Sequence, residues 1–241
     1  MSAFPLMPLL PPFVGAGLWE LFATTTGSTY PTGLQEGDVA VFLSALAVQQ
    51  TDSGYTYPPT PLTFPTGATE IASLYASGNG YYSSGDYYWT NSVGAAVSWR
   101  TVGAAQSGAA LGGGGASRTL IYRPTVIGSP SVAVVGSTGT GTSYSATAAF
   151  GSEPNSPVLA CFVSLAIADV NTRNPTSVSL PTHSFDAAAP EETYGLPTTG
   201  NLWCRVRFSV KKQATKADIA VACTAISGSL SRLHETFAIR K

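Results

Sequence analysis

The sequence predicts an all-β protein: an antiparallel β-sandwich, jelly-roll-like, with an extended N-terminal arm and long loops. Three observations carry this. Short apolar runs rich in Val, Ile, Phe, Tyr and Thr recur along the chain, each bounded by Gly, Pro, Asn or Ser, which is the pattern of strands joined by turns. The 25 glycines and 17 prolines are spread through all 241 residues and leave no long window for a helix. Hydrophobic residues make up 44% and charged residues only 10%, so the chain can build a core and lacks the charge of a disordered polymer.

The first element is the opening stretch MSAFPLMPLLPPFVGAGLWELF, whose first charge is Glu20. It has no basic residue ahead of its apolar part, as a secretion signal would. Pro5, Pro8, Pro11 and Pro12 break the ladder that a membrane helix of ~20 residues needs. Prolines instead hold the chain extended, near polyproline II geometry. Residues 1–34 are expected to form a docking arm that lays Phe4, Leu6, Leu9, Leu10, Phe13 and Trp19 on a neighbouring molecule. The alternative is that the segment caps the protein's own core.

Residues 35–241 are expected to form the sandwich body, as one unit or as two packed sub-domains. Its strand-like runs are DVAVFLSALAVQ, TEIASLYAS, YYWTNSVGAAVSWRTVG, RTLIYRP, SVAVVGST, TSYSATAAF, PVLACFVSLAI, TSVSLPTHS, NLWCRVRFSVKK, ADIAVACTAIS and HETFAIRK. Helical spacing is weak. LSALAVQ offers one turn, and SGSLSRLHETF places Leu230, Leu233 and Phe237 on one helical face. Residues 27–37 link the arm to the first strong strand. GAAQSGAALGGGGA, residues 103–116, reads as a long loop and the most flexible stretch of the chain. The proline-punctuated stretch from Asn171 to Gly200 reads as surface loop.

The stretch ASGNGYYSSGDYYWTN gathers Tyr81, Tyr82, Tyr87, Tyr88 and Trp89 around Gly80 and Asp86. Aromatics on a polar loop can stack on sugar rings or anchor a protein contact. Alternation along DYYWT equally fits a hairpin facing the core and a neighbouring subunit. No catalytic constellation is visible. No carboxylate pair is positioned as a glycosidase needs. Neither His183 nor His234 is accompanied by a G-x-S-x-G turn, and no Gly-Lys pair supports a phosphate loop. Cys161, Cys204 and Cys223 each sit in an apolar run without CxxC spacing, so they read as core residues and not as a disulfide framework or a metal site. No cofactor is expected.

Charge is unevenly placed. Residues 1–99 hold six acids and no base, whereas residues 205–241 hold eight bases and two acids. This suits head-to-tail association of copies, or internal neutralisation on folding. The net charge of −1 and the lack of a nucleic-acid-binding motif argue against a nucleic-acid partner.

Taken in order, EGDVAVFLSALAV, PPTPLTFPTGATEIAS, AAVSWRTVGAA, SRTLIYRPTVIG and SPVLACFVSLAI resemble β-sandwich structural proteins of tailed bacteriophages, over residues 36–167. The resemblance implies a non-enzymatic virion component (capsid decoration, fibre base or minor tail protein) and brings no catalytic residues. The expected partners are other copies of the chain and other virion proteins, with no nucleic acid and no membrane. The expected location is the virion, assembled in the host cytoplasm. The alternative is a carbohydrate- or receptor-binding module that uses residues 81–89 on a host surface glycan.

Overall fold

The run VLACFVSLAI shows little polar alternation, and its place in the fold explains why. In a computed structural model it forms strand β8, Val158–Ile167, which is buried on both faces from Val158 to Ser164. Leu159, Cys161 and Val163 enter one apolar cluster, and Val158, Ala160 and Phe162 enter another. A strand covered on both sides has no solvent face to fill with polar residues. The structure describes residues 19–52, 62–82, 87–114, 116–124, 131–140, 143–149, 158–167, 180–188, 190, 192–196, 204–213, 217–224 and 231–240.

The described residues form an all-β protein with antiparallel sheets. Sheet I contains β1 (Trp19–Gly27), β2 (Asp38–Asp52), β3 (Thr69–Tyr82), β4 (Tyr87–Val102) and β5 (Ala116–Pro124), in the order β1-β5-β2-β4-β3. Sheet II joins β8 to β6 (Ser131–Thr140), β10 (Glu192–Leu196), β11 (Cys204–Gln213) and β13 (Ser231–Arg240), in the order β10-β11-β8-β13-β6. Sheet III is smaller: β7 (Ser143–Ala148), β12 (Ile219–Thr224) and β9 (Thr182–Phe185).

Three clusters stack these sheets. Val39, Val41 and Leu43 of β2 and Leu120 and Tyr122 of β5 meet Leu159, Cys161, Val163, Val206, Phe208 and Val210 of sheet II. On the far side of sheet II, Phe162 packs with Phe185, Ile219, Val221 and Cys223 of sheet III. On the outer side of sheet I, Ala40, Phe42 and Ile121 are covered by Tyr30, Leu34 and Leu111 from loops. The described residues thus form three sheet layers and a loop layer. Arg118 of β5 lies over the Tyr194 ring of β10, 4.7 Å from its centroid, at the margin between sheets I and II.

Several expectations change. Residues 19–34 belong to the body and not to an arm. β1 pairs along β5, and Trp19, 1% exposed, is a core residue and not a docking residue. The sequence WELFA puts Trp19 and Leu21 against the central cluster, and the bulge between Leu21 and Ala23 turns Ala23 to the outer one. LSALAVQ is part of β2, and the helically spaced residues from Leu233 onward lie in β13, which pairs with β6 over ten positions. β-branched and aromatic residues such as Thr236, Phe237 and Ile239 follow the ladder they are offered. β10 lies within the stretch read as surface loop, because β11 offers an edge to the short segment ETYGL.

The glycine-rich stretch after Val102 is also not a flexible loop. It starts with a 3-10 turn, Ala104–Gln106, and is laced to residues 28–31: Tyr30 N–H donates to Ala109 O at 2.8 Å, and Leu111 N–H donates to Ser28 O at 2.7 Å. Its glycines serve close approach. A Cβ at Gly113 would lie 2.4 Å from the carbonyl oxygen of Phe64, and φ there is +58°. Gly113→Ala is therefore expected to lower the unfolding free energy by about 2 kcal/mol in urea titrations; an unchanged midpoint would contradict the packing of this layer.

Candidate functional site

Of the residues expected to dock, Phe4, Leu6, Leu9, Leu10 and Phe13 lie outside the described residues, and Trp19 lies in the core. The aromatic stretch becomes the end of the β3–β4 hairpin. Its ladder pairs Gly80 with Trp89, Tyr81 with Tyr88 and Tyr82 with Tyr87, and residues 83–86 lie outside the described residues. The hairpin reading of DYYWT thus describes the backbone.

The hairpin continues past the last β5 pairing for a reason visible in strand lengths. β5 pairs with β2 only over Val39–Leu43, whereas β4 follows β2 from Asp38 to Asp52. From Leu43 to Asp52, nine residues, β2, β4 and β3 continue as a three-stranded extension of about 30 Å at 3.3 Å per residue. The aromatic residues sit at its far end.

A groove of about 590 Å³ opens where β5 leaves β2. It is lined by small residues, including Ser44, Ala45, Ala116 and Ser117, and by the apolar Leu46 and Leu62. Ser117 marks the step. Its Oγ accepts the Ala45 N–H at 3.0 Å and donates to the Ala45 carbonyl at 3.2 Å, replacing a backbone partner. Ser44 Oγ is buried and has no hydrogen-bond partner among the described residues. Leu46, 37% exposed, is one of two exposed large hydrophobic residues of the described chain. None of the lining residues is charged.

The titratable residues are used elsewhere. His183 of β9 is 2% exposed between sheets II and III. Its Nε2 meets Ser164 Oγ at 2.6 Å, and its Nδ1 meets Ser209 Oγ at 2.9 Å. Thr193 Oγ1 lies 3.2 Å from Ser209 Oγ and accepts from Arg207 Nη1 at 2.9 Å. Rotatable hydroxyls satisfy either tautomer of a neutral imidazole, so the relay can be complete without solvent. The Phe162 ring, 4.3 Å away, closes one side. Ser164 and Ser209 are fully enclosed, so this is a buried polar joint between layers.

Two ion pairs pin loops. Arg123 Nε and Nη2 clamp the buried Asp38 carboxylate at 2.9 and 2.8 Å, and Nη2 also reaches Gly33 O. The hydrogen bond to Asp38 raises the Arg123 pKa above its ordinary value, and Phe22 stacks on the guanidinium 4.0 Å from the ring centroid. Asp186 is held below the usual carboxylate range, first by its hydrogen bond from Lys211, with a further bond from the Ala220 N–H at 2.9 Å. Cys161 and Cys223 are buried thiols. Among the described residues, no three His, Cys, Asp or Glu side chains gather as a metal site.

The groove was not legible in advance, because its lining comes from four separate places in the chain and none carries a chemical motif. No protein-family model, no curated protein and no solved structure matches this chain.

The joint at His183 makes an energetic prediction. Ser164→Ala should cost about 1 kcal/mol in the otherwise native protein and far less in the His183→Ala background, which itself should lose about 3 kcal/mol. A double-mutant cycle by urea unfolding checks this, and additive costs would contradict the shared joint.

Proposed function

We propose that this chain is a non-enzymatic structural subunit of a bacteriophage particle, assembling with other copies of itself on the capsid or tail through residues that precede Trp19. The observation that carries the reading is the combination of a rigid three-sheet stack with a surface poor in charge: only 10% of residues are charged, and several of those are spent on internal clamps. A small-residue, weakly charged surface is suited to packing against neighbours more than to solvation as a lone monomer. The resemblance of residues 36–167 to phage β-sandwich proteins supports the same reading.

A second reading, a host-glycan or receptor-binding module, is favoured by one feature. Tyr81, Tyr82, Tyr87, Tyr88 and Trp89 cluster at the tip of an extension about 30 Å past the last β5 pairing. Aromatic faces at such a tip suit stacking on sugar rings.

One experiment separates the two. Deleting residues 1–16 should abolish incorporation into purified particles, measured by quantitative mass spectrometry, while leaving the circular dichroism of the body unchanged. Changing Tyr87, Tyr88 and Trp89 to Ala should leave incorporation intact. Normal incorporation of the deletion variant, with host-cell binding lost only in the triple variant, would replace the first reading by the second.

A further inference from the structure

We infer that the groove at the β2–β5 step receives residues 4–13 of a second copy of this chain. This rests on the docking reading above and names the receiving surface.

Shape is the first argument. The lining combines the small residues Gly27, Ser44, Ala45, Ala116 and Ser117 with the apolar side chains of Leu46 and Leu62. Such a lining suits bulky apolar side chains. Residues 4–13 offer them in close succession: Phe4, Leu6, Leu9, Leu10 and Phe13. The volume of about 590 Å³ is that of a ligand cleft.

Hydrogen-bond chemistry is the second. The hydroxyl-bearing residues Ser28, Ser44 and Thr63 line the groove, and Ser44 Oγ is buried without a partner among the described residues. A hydroxyl can donate to a carbonyl. The proline-rich segment is rich in carbonyls and poor in donors, because Pro5, Pro8, Pro11 and Pro12 each lack an N–H. An extended proline-rich chain also loses little entropy on docking and presents its carbonyls outward.

Charge is the third. The groove lining is uncharged, and the chain carries no charged side chain before Glu20. Neither surface has an ionised side chain to desolvate on contact.

The point of exit favours a second copy. The segment joins the body at Trp19, fixed in the core between sheets I and II. Gly27, which lines the groove, is at the opposite end of β1, about 26 Å away for eight residues. To fill its own groove, the segment must reverse immediately before Trp19 and run back along the full length of β1. A copy that gives its segment forward and receives another from behind makes a heterologous contact, which closes into rings or extends as a filament.

The test uses the full chain with a photo-crosslinking benzoylphenylalanine at position 9, prepared as an equal mixture of isotope-labelled and unlabelled protein. Irradiation should give covalent dimers containing both isotopes, with crosslinks mapped by mass spectrometry to residues 44–46, 62–63 or 116–117. Leu46→Arg should reduce the dimer yield at least tenfold, and since Leu46 is exposed the variant should keep the native circular dichroism; Leu62→Arg provides a second lining variant. A product confined to one chain, a map to any other surface, no interchain product, or a yield insensitive to both lining variants overturns the inference. If deletion of residues 1–16 still blocks particle incorporation in that case, the docking reading stands and only the groove assignment fails.

Discussion

The rest of the structure depends on β8 having no exposed face. Once Leu159, Cys161 and Val163 point one way and Val158, Ala160 and Phe162 the other, two further layers must each present an apolar surface to it. Sheet I does so with Val39, Val41, Leu43 and Leu120, and sheet III with Phe185, Ile219 and Val221. A polar group buried against β8 is best bonded to another, because leaving it unbonded costs on the order of 1–3 kcal/mol. Ser164, Ser209 and His183 meet that condition together, through hydrogen bonds at both imidazole nitrogens. The same constraint shapes β11, which sends Val206, Phe208 and Val210 to the central core and Arg207 and Ser209 to the joint with sheet III.

A stack this thick moves the problem outward, to the outer face of sheet I. There Ala40, Phe42 and Ile121 need a cover, and loops supply it. Loops cover a sheet well only when they are fixed. The backbone bonds between residues 28–31 and 108–111, the Arg123 clamp on Asp38 and the close approach of Gly113 to Phe64 provide that fixation. The groove lies where this cover ends, at the point where β5 stops and Ser117 stands in for the next rung of the ladder. The candidate site is thus a by-product of unequal strand lengths: β2 is fifteen residues long and β5 nine.

Much of the fold was legible in the sequence because strand alternation is a local property. The run IAVACT alternates larger with smaller side chains and is buried at Ile219, Val221 and Cys223. The run VLACFV reads as a strand, but the covering of both its faces depends on pairings distant in sequence. Trp19 was misplaced because proline content in residues 5–12 coloured the reading of the residues after it. The glycine run after Val102 was misread because composition distinguishes poorly between a glycine that permits motion and one that admits a neighbouring backbone. Asp186 and Ala187 hold positive φ, at 48° and 58°, in a turn that neither residue type announces. The groove carried no signal at all, since Ser, Ala and Leu have no spacing that marks a binding surface.

The assembly proposal treats the body as a preformed rigid platform, and that rigidity rests on β8. Native-state hydrogen exchange measures it directly. The account predicts that the amides of Leu159–Val163 and their β11 partners Phe208–Lys212 exchange only through global unfolding, with opening free energies equal to the total stability, while the β2–β4 pairs beyond Leu46 open at lower cost. Exchange of the β8 amides as rapid as that of the strand ends would contradict a central, doubly covered strand as the base of this fold.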